Sequence, residues 1–153
     1  MRSTNHALAC ALLLTLAGCS TIQVDLPEQF LVTATSAYEF KATTADNAIF
    51  WVQKYQLPER GTSLDFWVTA LKKDFIDNRG YTLLEQEPIE TNAGAKGAQM
   101  LYEATTQGQT FRYLVAVFIR PGPVACIARF TAEKTEFGKH VNAVKKAILT
   151  TRG

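Results

Sequence analysis

The sequence predicts an α+β domain: an antiparallel sheet of about six strands with two helices packed on it, in the order ββαββββα. Three observations carry this. The run Tyr113–Ile119 is nearly apolar on both faces, as a central strand covered on both sides must be. Two segments repeat apolar residues at helical spacing. The punctuation "QGQ" at 107–109 and "RPGP" at 120–123 is tight, so sequence neighbours should be antiparallel neighbours in space. Helices on opposite faces would make an α/β/α sandwich; helices on one face would make a two-layer domain.

Residues 29–56 read as β structure. "YEFKATT" sets Tyr38, Phe40 and Ala42 on one face, and "AIFWVQKY" is a dense β-forming run. Asp46 and Asn47 between them tolerate left-handed backbone, so the pair forms a hairpin. Pro58 and Gly61 end it. The first helix is "GTSLDFWVTALKKDFIDNRG". Thr62 or Ser63 caps it, Asp65 suits the positive end of its dipole, and Gly80 closes it. Leu64, Trp67, Val68, Leu71 and Phe75 form its apolar face.

Four strands follow: "YTLLEQE" before Pro88, the alternating "GAQMLYEATT", the central "TFRYLVAVFIR", and "VACIARF". The last helix covers about Glu133 to Thr150. Its apolar stripe is Phe137, Val141, Val144 and Ile148, with Lys139, Lys145 and Lys146 on the wet side.

The N-terminus has another purpose. Arg2 precedes an uncharged run from Ala7 to Ala17, about eleven residues and too short to cross a hydrocarbon core of roughly 30 Å. A charged start, a short apolar centre and small residues at the end describe a secretion signal. The run closes on Leu16-Ala17-Gly18-Cys19, which resembles the lipobox of bacterial lipoproteins. That resemblance implies cleavage between Gly18 and Cys19 and acylation of Cys19 by three chains. Each buried methylene adds about 0.8 kcal/mol, so several chains hold a protein firmly on a bilayer where one does not. The same resemblance implies that Ser20, where an aspartate would hold such a lipoprotein at the inner membrane, leans the sorting toward the outer membrane. A domain order follows: residues 1–18 a cleaved signal peptide, 19–28 a lipidated tether, 29–153 one α+β domain. Fully stretched, residues 20–28 reach about 30 Å.

The mature part holds fifteen Lys and Arg against fourteen Asp and Glu. With no basic stripe interleaved with aromatics, nucleic acid is not an expected partner. After Cys10 leaves with the signal and Cys19 is acylated, Cys126 is the one thiol left, so no intramolecular disulfide forms. It lies in a strand-like run and reads as a small buried hydrophobe.

Catalytic signatures are absent: no G-x-S-x-G, H-E-x-x-H or P-loop. His140, the one mature histidine, sits beside the apolar stripe and reads as solvated or half-buried. No metal spacing or cofactor motif is present. "NAGAKG" at 92–97 reads as a loop before a strand. Glu85 and Glu87 share a strand face, which suits a solvated edge better than a carboxylate pair. Trp51, Trp67, Phe50, Phe66 and Tyr55 could mark a binding surface, but core filling between hairpin and first helix is the simpler reading.

The order of elements, and the stretch "GAKGAQMLYEATTQGQTFRYLVAVFIRPGPVACIARFTAEKTEFGKHVNAVKKAIL", resemble PsbP-like domains, to which DcrB-like bacterial lipoproteins are similar. The resemblance spans about residues 35–150 and brings no catalytic residues. It implies a non-enzymatic accessory, assembly or chaperone-like protein of the cell envelope. Its expected partners are the lipid bilayer, through Cys19, and an envelope protein reached from the periplasm. The alternatives are an immunity protein against a periplasm-acting toxin, and a small-molecule or lipid carrier. Large inward side chains (Trp67, Phe75, Phe111, Phe118) argue for a filled core rather than a carrier's cavity.

Overall fold

A computed structural model describes residues 21–58, 63–122 and 124–153. The signal segment and the lipobox, Gly18 and Cys19 included, lie outside the described residues, as do Thr62 and Pro123. Among the described residues, seven strands form one wholly antiparallel sheet. They are β1 (Leu31–Thr35), β2 (Glu39–Thr43), β3 (Ile49–Gln56), β4 (Thr82–Glu90), β5 (Lys96–Thr106), β6 (Gln109–Arg120) and β7 (Val124–Glu133). Their spatial order is β1-β2-β3-β7-β6-β5-β4. The α+β class and both helices agree with the sequence reading. The additional strand is β1, an edge strand with a bulge between Val32 and Ala34. Its Leu31 is 71% exposed, so the burial alternation that reveals a strand is missing from it.

Helix α1 (Leu64–Lys72) lies in the connection from β3 to β4, which skips the three strands between them. The Ser63 hydroxyl caps it by accepting from the Phe66 amide at 3.2 Å. It continues as a wider π-helical turn, Lys73–Asn78, where the sequence predicts plain helix. Gly80, at φ 71°, supplies the left-handed exit. Helix α2 (Lys134–Leu149) closes the chain.

The helices lie on opposite faces, because β6 alternates between two cores. Leu114, Ala116 and Phe118 meet Phe137, Val144 and Ile148 of α2. Val115 and Val117 meet Leu71 and Phe75 on the other side, with Met100, Tyr102 and Ile127. This is the α/β/α sandwich. Gly97 allows β5 to approach β6 closely: a Cβ there would stand 2.4 Å from the Val117 carbonyl oxygen. The two-residue turn joining these strands places Gln107 and Gly108 at φ 51° and 78°, which matches the twist of a hairpin.

The segment expected as a tether is docked from Ile22 onward. Ile22 is 2% exposed, and Val24 and Leu26 pack against the same core. Gln23 pairs with Arg152 as an antiparallel bridge, and Arg152 holds both Asp25 carboxylate oxygens. Sequence reading missed this because the partner strand is a single C-terminal residue.

Two substitutions test these packings. Gly97→Ala should destabilise by about 1–3 kcal/mol through overpacking, read as a lower urea midpoint at unchanged slope. Ile22→Ala should lose about 2–5 kcal/mol if the segment is core; a freely moving segment would leave the midpoint where it was.

Candidate functional site

The α2 face of the sheet is covered over its inner strands, β2 and β3 as well as β6 and β7. Helix α2 lies over β6 and β7, and Ile22, Val24, Leu26 and Phe30 join the core beside it with Phe40, Ala42, Phe50 and Val52 of β2 and β3. The opposite face is treated unequally. Helix α1 rests on β5 and β6, and beyond it the strand register can be followed outward. One row runs Met100, Val115, Arg129, Trp51, Lys41; the next runs Tyr102, Tyr113, Thr131, Ile49, Thr43, Leu31. Directly paired residues share a face, so each row begins under the helix and ends on open sheet.

Where the cover stops there is a hollow of about 110 Å³, lined by Ile49, Trp51, Phe75, Arg79, Tyr113 and Arg129 among others. Its walls are held in place. The Trp51 indole donates to Glu39 Oε1 at 2.8 Å, and the Arg129 guanidinium lies 5.5 Å from the Trp51 ring centroid. Arg129 donates to Gln53 Oε1 at 2.6 Å, and Gln53 also accepts from the Tyr55 hydroxyl. Across the hollow, Arg79 sits 4.9 Å above Phe75 and pairs with Asp74 at 2.8 Å. Phe75 stacks on Tyr102 at 4.7 Å, and Tyr81 tilts against Tyr113 at the same separation. Burial raises both Tyr102, to about 12, and Tyr113, so the aromatic wall stays neutral. The arrangement can receive an apolar side chain and set acidic groups against two fixed guanidiniums; it brings no nucleophile and base together.

The aromatic residues singled out in sequence therefore divide. Phe50 is core, Trp51 floors the open face, Tyr55 and Trp67 tilt against each other at 5.8 Å, and Phe66 is 54% exposed on α1. Trp51 and Phe50 part because adjacent strand residues point to opposite faces. Arg79 and Arg129 gave no signal in sequence, being fifty residues apart and each ordinary on its own element.

His140 corrects the sequence reading. It is 8% exposed and buried, not solvated, with its ring edge-on to Phe30 at 5.5 Å. Its Nε2 lies 2.9 Å from Asp46 Oδ2, in the turn between β2 and β3. Asp46 also accepts from the Thr44 hydroxyl. The Thr44 and His140 bonds hold the Asp46 carboxyl far below the usual carboxylate range. Glu136 comes close enough that the three residues' donor atoms lie within 4.8 Å of one another. These are the groups that could hold a divalent cation. Each carboxylate already has protein donors, Glu136 from Lys139 Nζ at 2.6 Å, so both carboxylates are engaged and the cluster forms a latch between hairpin and helix. No spacing rule finds a grouping whose members are 94 residues apart.

Glu87 bonds Gln99 at 2.7 Å and Lys145 at 3.1 Å, while Glu85 is exposed; the two do not face a shared site. Cys126 is fully buried, and burial pushes its thiol up, away from reactivity. Residues 92–97 form the β4–β5 turn and the start of β5.

No known family profile and no curated protein matches the chain. Among the solved structures that share the fold are the following two. One is a Pseudomonas aeruginosa protein of unknown function with a provisional regulatory assignment. It is 16% identical, has a TM-score of 0.57, and the match covers 86% of this chain and 96% of that one. The other, from Bacteroides thetaiotaomicron VPI-5482, is 14% identical with a TM-score of 0.52; the match covers 86% of this chain but 44% of that longer protein.

The latch makes stability pH-dependent in a defined direction. A depressed carboxyl stabilises the fold above its unfolded pKa of about 4 and loses that contribution as pH falls further. Asp46→Asn should therefore lower the urea midpoint at neutral pH, with the gap to wild type closing below about pH 4. A constant gap from neutral to acid pH would show that the Asp46 charge is not its source.

Proposed function

We propose that this chain is a membrane-anchored lipoprotein of the cell envelope that works without catalysis, by holding another protein against the open half of its sheet. The observation that carries the reading is the aromatic hollow between Trp51 and Phe75, flanked by Arg129 and Arg79. Such anchors, rigid and half desolvated, are the kind that dominate protein interfaces. The two guanidiniums favour an acidic partner segment with an apolar tip. The lipobox Leu16–Cys19 supports the anchor, and Ser20 after it leans the placement toward the outer membrane, with the domain facing the periplasm. Among the described residues no helix is long and apolar enough to cross a membrane. The PsbP-like pattern supports an accessory or assembly role.

The carrier alternative draws less support. The Trp51 hollow is well below the roughly 300–1,000 Å³ of small-molecule sites, the larger hollow of about 650 Å³ between Ala93–Lys96 and Ile119–Pro121 lies open among the end turns, and Tyr102, Phe118, Phe130 and Phe137 fill the space between sheet and helices. The immunity alternative differs only in the partner's identity.

A photo-crosslinking residue in place of Ile49, which lines the hollow and is exposed, should yield one discrete adduct in cells. The same residue at position 142, on the exposed side of α2, should not. Arg129→Glu should cut the position-49 adduct about tenfold, equivalent to some 1.4 kcal/mol, while the domain stays folded. Equal adducts from 49 and 142, or an adduct indifferent to Arg129→Glu, would remove the sheet face as the docking site. Cys19→Ala should release the protein from the membrane fraction and abolish the acyl mass increment.

A further inference from the structure

The docked N-terminal segment changes what an anchor at Cys19 would do. The chain is fixed from Ile22, whose amide donates to the Ser36 carbonyl at 3.1 Å. Gln23 and Arg152 exchange backbone bonds of 2.8 and 3.0 Å, and the Asp25 amide donates to Thr150 Oγ1 at 2.9 Å. Gly153 lies so close to Thr21 that a Cβ on it would meet the Thr21 carbonyl oxygen at 2.2 Å. Whatever its conformation, the path from the Cys19 Cα to the Ile22 Cα cannot exceed about 10 Å. The nine-residue reach of roughly 30 Å is cut to a third.

The topology says which surface stands at that point. The antiparallel order places the β1–β2 turn, the β4–β5 turn, the β6–β7 turn and the C-terminus at one end of the sandwich, beside Ile22. Side-chain and backbone bonds tie them together: Arg120 donates to the Gly153 carbonyl, and the Asn92 amide to the Leu149 carbonyl at 2.8 Å. Tyr38, 63% exposed in the first of these turns, is an aromatic with a polar tip, the residue type that settles at a membrane interface. Lys96 and Arg120 stand in or beside the other two turns, with Pro121 and Gly122 exposed between strands. The opposite end carries the Asp46 turn, the Gln107–Gly108 turn and the start of α2. It lies one strand length away, about 40 Å along β6.

Resting on the lipid-anchor reading above, we propose that the end built from Tyr38, Lys96, Arg120 and Pro121 is a fixed membrane contact, seated on the phospholipid headgroups beside the acylated Cys19. The domain then stands upright, with the Asp46–His140 end pointing away from the bilayer. The Trp51 hollow opens sideways, parallel to the membrane, so a partner reaches it along the surface. The end carries both signs of charge, with Asp25 beside Arg152, so the short tether and not net charge sets the orientation.

The test uses the full acylated protein in vesicles of phosphatidylethanolamine and phosphatidylglycerol. Cys126 is fully buried, so a fluorophore on Tyr38→Cys or on Thr135→Cys labels one site. With a nitroxide lipid as quencher, the position-38 label should be quenched severalfold more than the position-135 label. Inserting a long Gly-Ser linker after Ser20 should erase that difference while the protein still floats with the vesicles. Equal quenching at both positions in floating, acylated protein would overturn the orientation but leave the anchor intact. A difference that survives the linker would overturn the tether as its cause. Protein that neither floats nor carries the acyl mass would overturn the anchor and the orientation with it.

Discussion

Everything in this fold answers to one constraint: the central strands β6 and β7 are apolar on both faces. Val115 to Phe118 and Ala125 to Ala128 are buried without a break, so each face needs its own cover and a two-layer arrangement would strand one of them in water. With two helices available, one must go to each side. The crossover from β3 to β4 carries α1 to one face, and the chain end returns α2 to the other. The sandwich follows from the composition of two strands.

The cover is unequal, and the inequality is where function can reside. On the α2 face the docked segment around Ile22 to Phe30 fills the area that the helix leaves over β2 and β3. On the α1 face nothing described plays that part, and Leu31, Ile49 and Trp51 carry the sheet into solvent. A rigid sheet supplies the platform, and the cross-strand rows set Trp51 next to Arg129 without any loop having to order. The docked segment thus has two roles: it completes one core and, if Cys19 is acylated, it shortens the distance between domain and membrane to a few residues.

The latch of Asp46 with His140 and Thr44 belongs to the same logic. It joins the β2–β3 turn to α2, holding the early hairpin against a helix almost a hundred residues later. Its residues look like ingredients of a site, yet each is already satisfied by another protein group, except for the buried His140 Nδ1. The chemistry of the open face, by contrast, points outward.

By itself the sequence determined the class of the fold, both helices, the hairpin turns and the central strand. Those features are written in local periodicity and turn chemistry, which act over a few residues. Ser63, Gly80 and the Gln107–Gly108 turn could be read for that reason. The tertiary structure alone decided three things: that β1 pairs at an edge, that residues 22–26 dock on the C-terminus, and that Arg79 meets Arg129 across a hollow. Each is a contact between segments distant in the chain, formed because strand register and helix crossing bring them together. The same holds for His140: a helix position beside an apolar stripe leaves its exposure open, and the Asp46 turn folding over it settles the matter. Periodicity states which face of an element is apolar. What covers that face, and where the cover ends, is decided when the layers assemble.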